Sequence, residues 1–292
     1  MLALLEALRG IGHAVPETTL APLLAAPVPA LVLAAVDLTS TATALRTAAQ
    51  AHAADPRVAG ALAVRLRKAI GPDAELDAAI RSALSGTGAL PTLQALCRNP
   101  LPEHAEAVGD VVKRAKTAEV RVAALQALAC LEAGPGRLYA ALKAPEEPVR
   151  LAAIAGLARA RAPKRAVSFR LADVAFRDKG ATRTAALAAL ARLADPQFAK
   201  NVLALAARLS PRERLDVVPA LAGYGEAAVP TLSKVASGAA PELVAAVRTA
   251  LQAIGTASAR AALQGLPAAP ASAPAAVDLL AVLRAACALH DK

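Results

Sequence analysis

Large aromatic side chains are almost absent from this sequence. Its 292 residues include three Phe, two Tyr and no Trp, with a single Met. A core built around large rings is therefore excluded, whereas the 56% hydrophobic content consists mostly of Ala, Leu and Val. Because Ala and Leu are strong helix formers and strand-type alternation is scarce, the composition predicts an all-α protein with close helix–helix contacts.

Side chains that perform catalysis or bind metals are also few. The three cysteines lie far apart and no pair has metal-ligand spacing, which predicts buried thiols kept reduced in the cytosol. No histidine is followed by Glu, and neither a glycine-rich phosphate loop nor a nucleophile motif occurs. We therefore expect no enzyme activity, no cofactor and no metal. The residues concerned are Cys97, Cys130, Cys287, His13, His52, His104 and His290.

Targeting and membrane signals are also missing. The N-terminal ten residues carry Glu6 within an apolar run and have no basic start, unlike a signal peptide. The uncharged stretch 18–36 is long enough to test as a membrane span, but it contains Pro22, Pro27 and Pro29 and much Ala. The sequence predicts a cytoplasmic protein without a membrane span.

The segment 136–161 shows the pattern that the rest of the chain repeats more loosely. Leu138, Ala141 and Leu142 fall on one face of a first helix. The proline-marked turn 145–148 follows, and small apolar residues at helical spacing over 149–157 then form a second helix. The segment therefore reads as two short amphipathic helices that pack closely.

This helix pair recurs at a nearly constant interval. Strings similar to the one at 153–158 begin at positions 124, 186, 220 and 250, which gives steps of 29, 33, 34 and 30 residues. Arg121, Arg150 and Arg183 occupy the same place in three successive units. A step of one helix pair is typical of stacked helical repeats.

The pattern L-x-x-A-L-K-x-P-x-x-x-V-R-x-A-A from Leu138 to Ala153 resembles the HEAT repeat in its short bacterial form, which is also found in phycobilin lyases. The segment 255–263 resembles an inter-repeat turn and the helix after it. The resemblance is closest over 101–264. It implies an α-solenoid, right-handed and curved, in which the second helix of each pair lines the concave side.

The chain divides into four segments by pattern. These are divergent helical repeats at 1–100, regular HEAT-like repeats at 101–265, a Pro/Ala linker at 266–275 and a capping helix at 276–292. Within the regular part the predicted helix pairs are 102–115 with 119–131, 137–143 with 148–161, 164–176 with 181–193, 196–209 with 212–224 and 227–236 with 241–254, followed by a single helix at 257–264.

The positive charge of the protein is unevenly distributed. The net charge is +10, and the segment 150–183 holds nine bases and two acids. Four of the bases cluster at an inter-repeat turn near a fifth on the following helix, and together they could bind phosphate, an acidic protein or an anionic membrane face. These candidate partner-binding residues are Arg159, Arg161, Lys164, Arg165 and Arg170.

A second group of bases has a structural interpretation. The resemblance implies that Arg121, Arg150 and Arg183 bond acidic groups or helix ends in the adjacent repeat and so form an internal ladder. We favour this interpretation over partner binding for these three residues.

Three functions remain open at this point. The resemblance implies an architecture whose members bind proteins, nucleic acids or neither. We expect a non-enzymatic scaffold that binds a protein partner. The first alternative is phosphate-backbone binding of nucleic acid through 150–183, and the second is a phycobilin-lyase-like enzyme subunit. Since most of the five aromatic residues lie where core contacts are expected, the sequence disfavours stacking on single-stranded bases.

Overall fold

The computed structural model describes residues 3–5, 7, 15–132, 135–159 and 164–267. Within these ranges the protein is all-helical, with seventeen α-helices, two short 3-10 segments and no strand. The chain forms two compact units, Met1–Ala189 and Leu190–Lys292. The all-α prediction is confirmed for the described residues.

The first unit contains eleven complete helices and most of a twelfth. In chain order they are α1 Glu17–Leu24, α2 Pro29–Leu38, α3 Ala42–Ala51, α4 Pro56–Ile70, α5 Ala74–Ser85, α6 Ala89–Arg98, the 3-10 segment Pro102–His104, α7 Ala105–Arg114, α8 Ala118–Cys130, α9 Gly136–Ala141, α10 Glu147–Leu157, α11 Lys164–Arg177 and α12 Gly180–Leu193.

The second unit contains the end of α12 and five further helices in its described part. They are α13 Pro196–Ala206, α14 Pro211–Leu221, the 3-10 segment Ala222–Ala228, α15 Val229–Ala236, α16 Pro241–Ile254 and α17 Ala257–Gln264. The helix predicted at 212–224 therefore ends three residues early, and Gly225 within the 3-10 segment adopts a left-handed φ of 56°. The other helices predicted between 102 and 264 are confirmed to within a few residues at their ends.

The predicted capping helix cannot be compared with the structure, because 276–292 falls wholly outside the described residues. Of the predicted linker, only residues 266 and 267 are described. The four-segment division of the chain stays a prediction.

Helix starts are set by local side-chain chemistry. The Asp55 side chain accepts a hydrogen bond from the Arg57 backbone N–H at 3.0 Å, and Pro56 occupies the first turn of α4. Ser210 caps α14 reciprocally with Glu213. These caps satisfy N–H groups that a helix leaves without a partner, so the helix boundaries follow directly from the sequence.

Alternate helices pack against one another through much of the first unit. Helix α4 packs on α6, α6 on α8 and α8 on α10, while α5, α7 and α9 each pack on the neighbouring member of that series. Leu93, Val108 and Leu128 lie in the shared apolar core. Stacked repeats would produce these contacts, and the curved, right-handed solenoid stays a prediction.

Small residues permit the close approach that the sequence predicted. A Cβ atom added to Gly156 would lie 3.0 Å from Leu138 Cδ2 and 3.4 Å from Ala129 Cβ. Helix α10 therefore contacts both α9 and the end of α8 at Gly156, where the space for a side chain is very small. A larger side chain at position 156 would have to displace Leu138.

The second unit is organised around α16, which packs against α14, α15 and α17. Leu221, Leu232 and Leu251 are fully buried there. The Tyr224 hydroxyl donates a hydrogen bond to the Leu190 carbonyl at 3.2 Å. Burial, with a smaller contribution from Asp195, raises the pKa of Tyr224 to about 12. This ring therefore remains neutral and hydrogen-bonded at neutral pH.

The apolar stretch at 18–36 forms two short helices rather than one long one. Helix α1 ends at Leu24 and α2 begins at Pro29. Among the residues that the structure describes, no helix combines the length and the hydropathy needed to cross a bilayer.

Two of the three cysteines form a disulfide bond. Cys97 lies in the last turn of α6 and Cys130 ends α8, with their Cα atoms 5.1 Å apart. They are 33 residues apart in sequence, which is one repeat step, so they occupy equivalent places in neighbouring units. The prediction of separate, reduced thiols is therefore wrong for this pair, because packing of α6 on α8 brings the two side chains together.

Candidate partner-binding surface

Helix α11 has one packed face and one open face. Val167, Leu171 and Val174 follow helical spacing and are buried. The opposite side of the helix is exposed and carries most of its charged residues. The local fold of α11 therefore determines which of its side chains are available to a partner.

Two of the three phenylalanines of the protein lie on this open face. The Phe169 ring is 64% exposed and the Phe176 ring 49% exposed. Their spacing of seven residues places them on the same side of the helix, about 10 Å apart along its axis. The prediction that most aromatics make core contacts is wrong for these two rings.

Basic residues flank the exposed rings. Lys164 and Arg165 lie exposed in the first turn of α11, and Arg165 is one turn before Phe169. Arg170 follows Phe169 directly, and its guanidinium carbon lies 5.8 Å from the centroid of the Tyr139 ring, within cation–π range. We call Lys164, Arg165, Phe169, Arg170 and Phe176 the α11 surface.

The five predicted partner-binding bases are only partly brought together. Lys164, Arg165 and Arg170 share α11. Arg159 lies just after the end of α10, and its Nε donates to the Ala155 carbonyl at 3.3 Å. Arg161 falls outside the described residues. The structure adds Phe169 and Phe176, whose exposure the sequence analysis did not predict.

The three arginines of the predicted ladder make different contacts. Arg121 donates to both carboxylate oxygens of Glu146, at 2.6 and 3.2 Å, and these bonds hold the pKa of Glu146 below its ordinary value. Arg150 Nε lies 3.5 Å from Asp178 Oδ2. Arg121 and Arg150 thus each reach an acid of the following helix pair. Arg183 instead donates to the backbone carbonyl of Asp178, at 2.8 Å, in the turn before its own helix.

A buried polar cluster lies elsewhere in the first unit. Arg67 donates to Asp77 at 3.0 Å and to Glu103 at 2.8 Å, and His104 Nε2 lies 3.0 Å from the same Asp77 oxygen. Arg67 and His104 are almost fully buried. Sequence patterns did not predict this cluster, because Arg67 and Glu103 are 36 residues apart.

The Arg67 cluster contains the residue types of a metal site, but its carboxylates already bond a cationic side chain. Oxygen or nitrogen atoms of Asp77, Glu103 and His104 lie within 4.8 Å of one another. The Arg67 guanidinium bonds both carboxylates and already supplies the positive charge that they require. Burial alone would raise the pKa of Asp77, but hydrogen bonds from His104 and Arg67 outweigh burial and lower it.

Comparison with known proteins gives no relative: no protein-family model, no curated protein and no solved structure matches this sequence.

Proposed function

We propose that this protein is a non-enzymatic scaffold that binds a protein partner through the α11 surface. The observation that carries the proposal is the exposure of Phe169 and Phe176 beside Arg165 and Arg170. Aromatic residues and Arg are enriched at protein–protein interfaces, and exposed rings gain hydrophobic stabilisation when a partner covers them. Few other large apolar side chains of the described residues are comparably exposed.

The α11 surface also indicates the chemistry of its partner. Arg165 and Arg170 lie next to Phe169, and Lys164 lies in the same half of α11, so an acidic partner segment would be attracted electrostatically at that end of the helix. Apolar side chains on that segment would cover Phe169 and Phe176. We therefore propose an acidic protein segment with at least two apolar anchors spaced about 10 Å apart, which matches seven residues of helix.

A HEAT-like α-solenoid is part of the same proposal. It is supported by the step of about 30 residues between units and by the packing of alternate helices through the first unit. Arrays of this kind present long surfaces made from many similar helices. The α11 surface would be one section of such a surface.

The test compares the wild type with a Phe169→Ala, Phe176→Ala double variant. Proteins that co-purify from native cells after nuclease treatment are identified, and one of them is purified and titrated against both forms. We expect at least about a tenfold loss of affinity, because two apolar anchors are removed. The melting temperature should change little, because about half or more of each ring is exposed.

The matched control is Val28→Ala with Ile70→Ala, which removes two other exposed apolar side chains. This variant should bind like the wild type. Equal affinity of the wild type and the Phe variant would overturn the proposal. So would a partner that binds the control variant as weakly as it binds the Phe variant.

Nucleic acid is the second candidate partner, and one observation favours it. Exposed Phe169 and Phe176 beside Arg165 and Arg170 could stack on unpaired bases while the arginines bind phosphates. Binding of single-stranded RNA, followed by fluorescence anisotropy, should then weaken steeply with salt and be lost in the Phe variant. The described residues add no observation in favour of the lyase-type alternative.

The cellular compartment belongs to the same proposal. The sequence predicts a cytoplasmic protein, whereas disulfides such as Cys97–Cys130 persist mainly in oxidising compartments. Thiol labelling of the protein in intact cells, before lysis, decides between a cytoplasmic location and an oxidising compartment. Protection of Cys97 and Cys130 from labelling would overturn the cytoplasmic prediction.

A further inference from the structure

A cleft opens in the first unit where two inter-helix turns meet. One wall is the turn after α9, with Leu142, Lys143 and Ala144, and the other is the end of α11 with the turn after it. Arg150 from α10 completes the lining, and the volume is about 640 Å³. This volume lies within the range of small-molecule sites.

The lining of the cleft carries an excess of positive charge. Its bases are Lys143, Arg150, Arg177 and Lys179, and its one acid is Asp178. Arg150 and Arg177 both contact that acid, with Nε atoms 3.5 Å and 3.0 Å from its oxygens. The side chains of Lys143 and Lys179 are exposed and have no ion pair or hydrogen bond within the described residues. Arg177 also pairs with Asp173, so Lys143 and Lys179 are the two bases of the lining that no ion pair engages.

Two of the neighbouring acids are paired with arginines. Glu146 is held by Arg121 in a bidentate pair, and Asp173 is paired with Arg177 at 3.1 Å on the exposed side of α11. Glu147 accepts a hydrogen bond from the Thr182 hydroxyl at 3.5 Å, which leaves its negative charge in place. None of these acids pairs with Lys143 or Lys179, so both lysines remain available to a ligand.

The two walls are fixed by bonds from arginine to backbone carbonyls. Arg150 Nη1 donates to the carbonyls of Ala144 and Pro145 at 2.9 and 2.8 Å. Arg183 Nε donates to the carbonyl of Asp178 at 2.8 Å. A ligand would therefore meet preformed turns and would need to order only the two lysine side chains.

We propose that this cleft binds the phosphate groups of a small molecule that carries two or more of them. Lys and Arg are the side chains that recognise phosphate, and two unpaired lysines suit a diphosphate or triphosphate better than a single carboxylate. The volume exceeds that of one phosphate group, so the cleft has room for the remainder of the ligand. The cleft does not include the α11 surface, so this inference is independent of the proposed function.

The experiment is calorimetric titration of the full chain with inorganic tripolyphosphate and with a nucleoside triphosphate. The test variant is Lys143→Gln with Lys179→Gln, which removes the two unpaired lysines. The control is Lys68→Gln with Lys200→Gln, which removes the same charge from exposed lysines elsewhere. We expect binding to the wild type and the control, and about a tenfold or greater loss in the test variant.

Each outcome bears on the proposal. Tighter binding of the nucleotide than of tripolyphosphate identifies a nucleotide-type ligand, and equal binding identifies the phosphate chain alone as the recognised group. Equal weakening of both variants would show general charge attraction and overturn the proposal. Binding of a phosphoserine peptide or an RNA duplex without binding of either small ligand would overturn it as well.

Discussion

Two arginines of the first unit make the same kind of contact in opposite surroundings. Arg67 bonds Asp77 and Glu103 at 3.0 and 2.8 Å, and Arg177 bonds Asp178 and Asp173 at 3.0 and 3.1 Å. The Arg67 side chain is 8% exposed, whereas the Arg177 side chain is 47% exposed. A buried guanidinium depends on its carboxylates, while an exposed one is also solvated by water.

The difference in burial distinguishes charged side chains that stabilise the fold from charged side chains that remain available to a ligand. Around Arg67 each buried ionic group bonds another group of the cluster. Around Arg177 the bases outnumber the acids, and two lysines have no partner within the described residues. Whether a basic side chain has an acidic partner therefore says more about its function than whether it lies in the basic segment 150–183.

The largest expected effect comes from exchanging each arginine for an apolar residue of similar length. Arg67→Met should lower the free energy of unfolding by about 3 kcal/mol, because Asp77 is left partly buried without its cation. Arg177→Met should cost less than about 1 kcal/mol, because water solvates its carboxylates. Urea denaturation of both variants measures the two values. Equal losses would contradict the distinction drawn between the two regions.

Loss of the Cys97–Cys130 bond should have an effect of similar or somewhat smaller size. The Cys97–Cys130 bond links residues 33 apart, and loss of such a link lowers the free energy of unfolding by about 2–4 kcal/mol. Denaturation with and without reductant measures the change. The unfolded, unreduced chain should show one titratable thiol against three after reduction. Three thiols before reduction would show that the bond is absent.

The stability that the Arg67 cluster contributes should depend on pH through the ionisation of Asp77. Its folded pKa lies below the ordinary value of 3.8, so its bonds stabilise the protein above that value and are lost as the pH falls through the folded pKa. The stability difference between wild type and Asp77→Asn should therefore be largest near neutral pH and shrink below about pH 4. A difference independent of pH would mean that the Asp77 charge contributes nothing.

A neutral buried contact in the second unit should have the smallest effect. Tyr224→Phe removes one hydrogen bond to the Leu190 carbonyl and should cost about 1 kcal/mol. The folded pKa of Tyr224, about 12, is above the ordinary 10. The contribution is therefore complete below pH 10 and is lost between 10 and 12. Absorbance titration should show a high-pH tyrosine in the wild type that is lost in the variant.

The sequence predicted features that depend on neighbours along the chain. The helices between 102 and 264 and the close approach at Gly156 follow from the spacing of a few residues. The exposure of Phe169 and Phe176 did not follow, because α11 has apolar residues on both faces and its neighbours decide which face is buried. The sequence alone therefore could not distinguish a core ring from a surface ring.

Features that join distant units were also missed. The Cys97–Cys130 bond depends on the register of α6 against α8, and the Arg67 cluster joins three segments of chain. The cleft combines Lys143 with residues 177–179, which come from separate turns. The distribution of charge along the sequence therefore predicted the bases at 159–170 but not the cleft, whose lining comes from two separate turns.

The arginine bonds between successive helix pairs also bear on how this chain could change in length. Arg121 bonds Glu146, 25 residues further on, and Arg150 contacts Asp178 in the next pair. If one whole helix pair were deleted, we expect Arg121 to face Asp178, which is again a carboxylate. A deletion of any other size would leave a half-buried guanidinium opposite the wrong side chain. Duplication and loss of complete units are therefore the changes in length that natural variation or protein engineering could make here most easily.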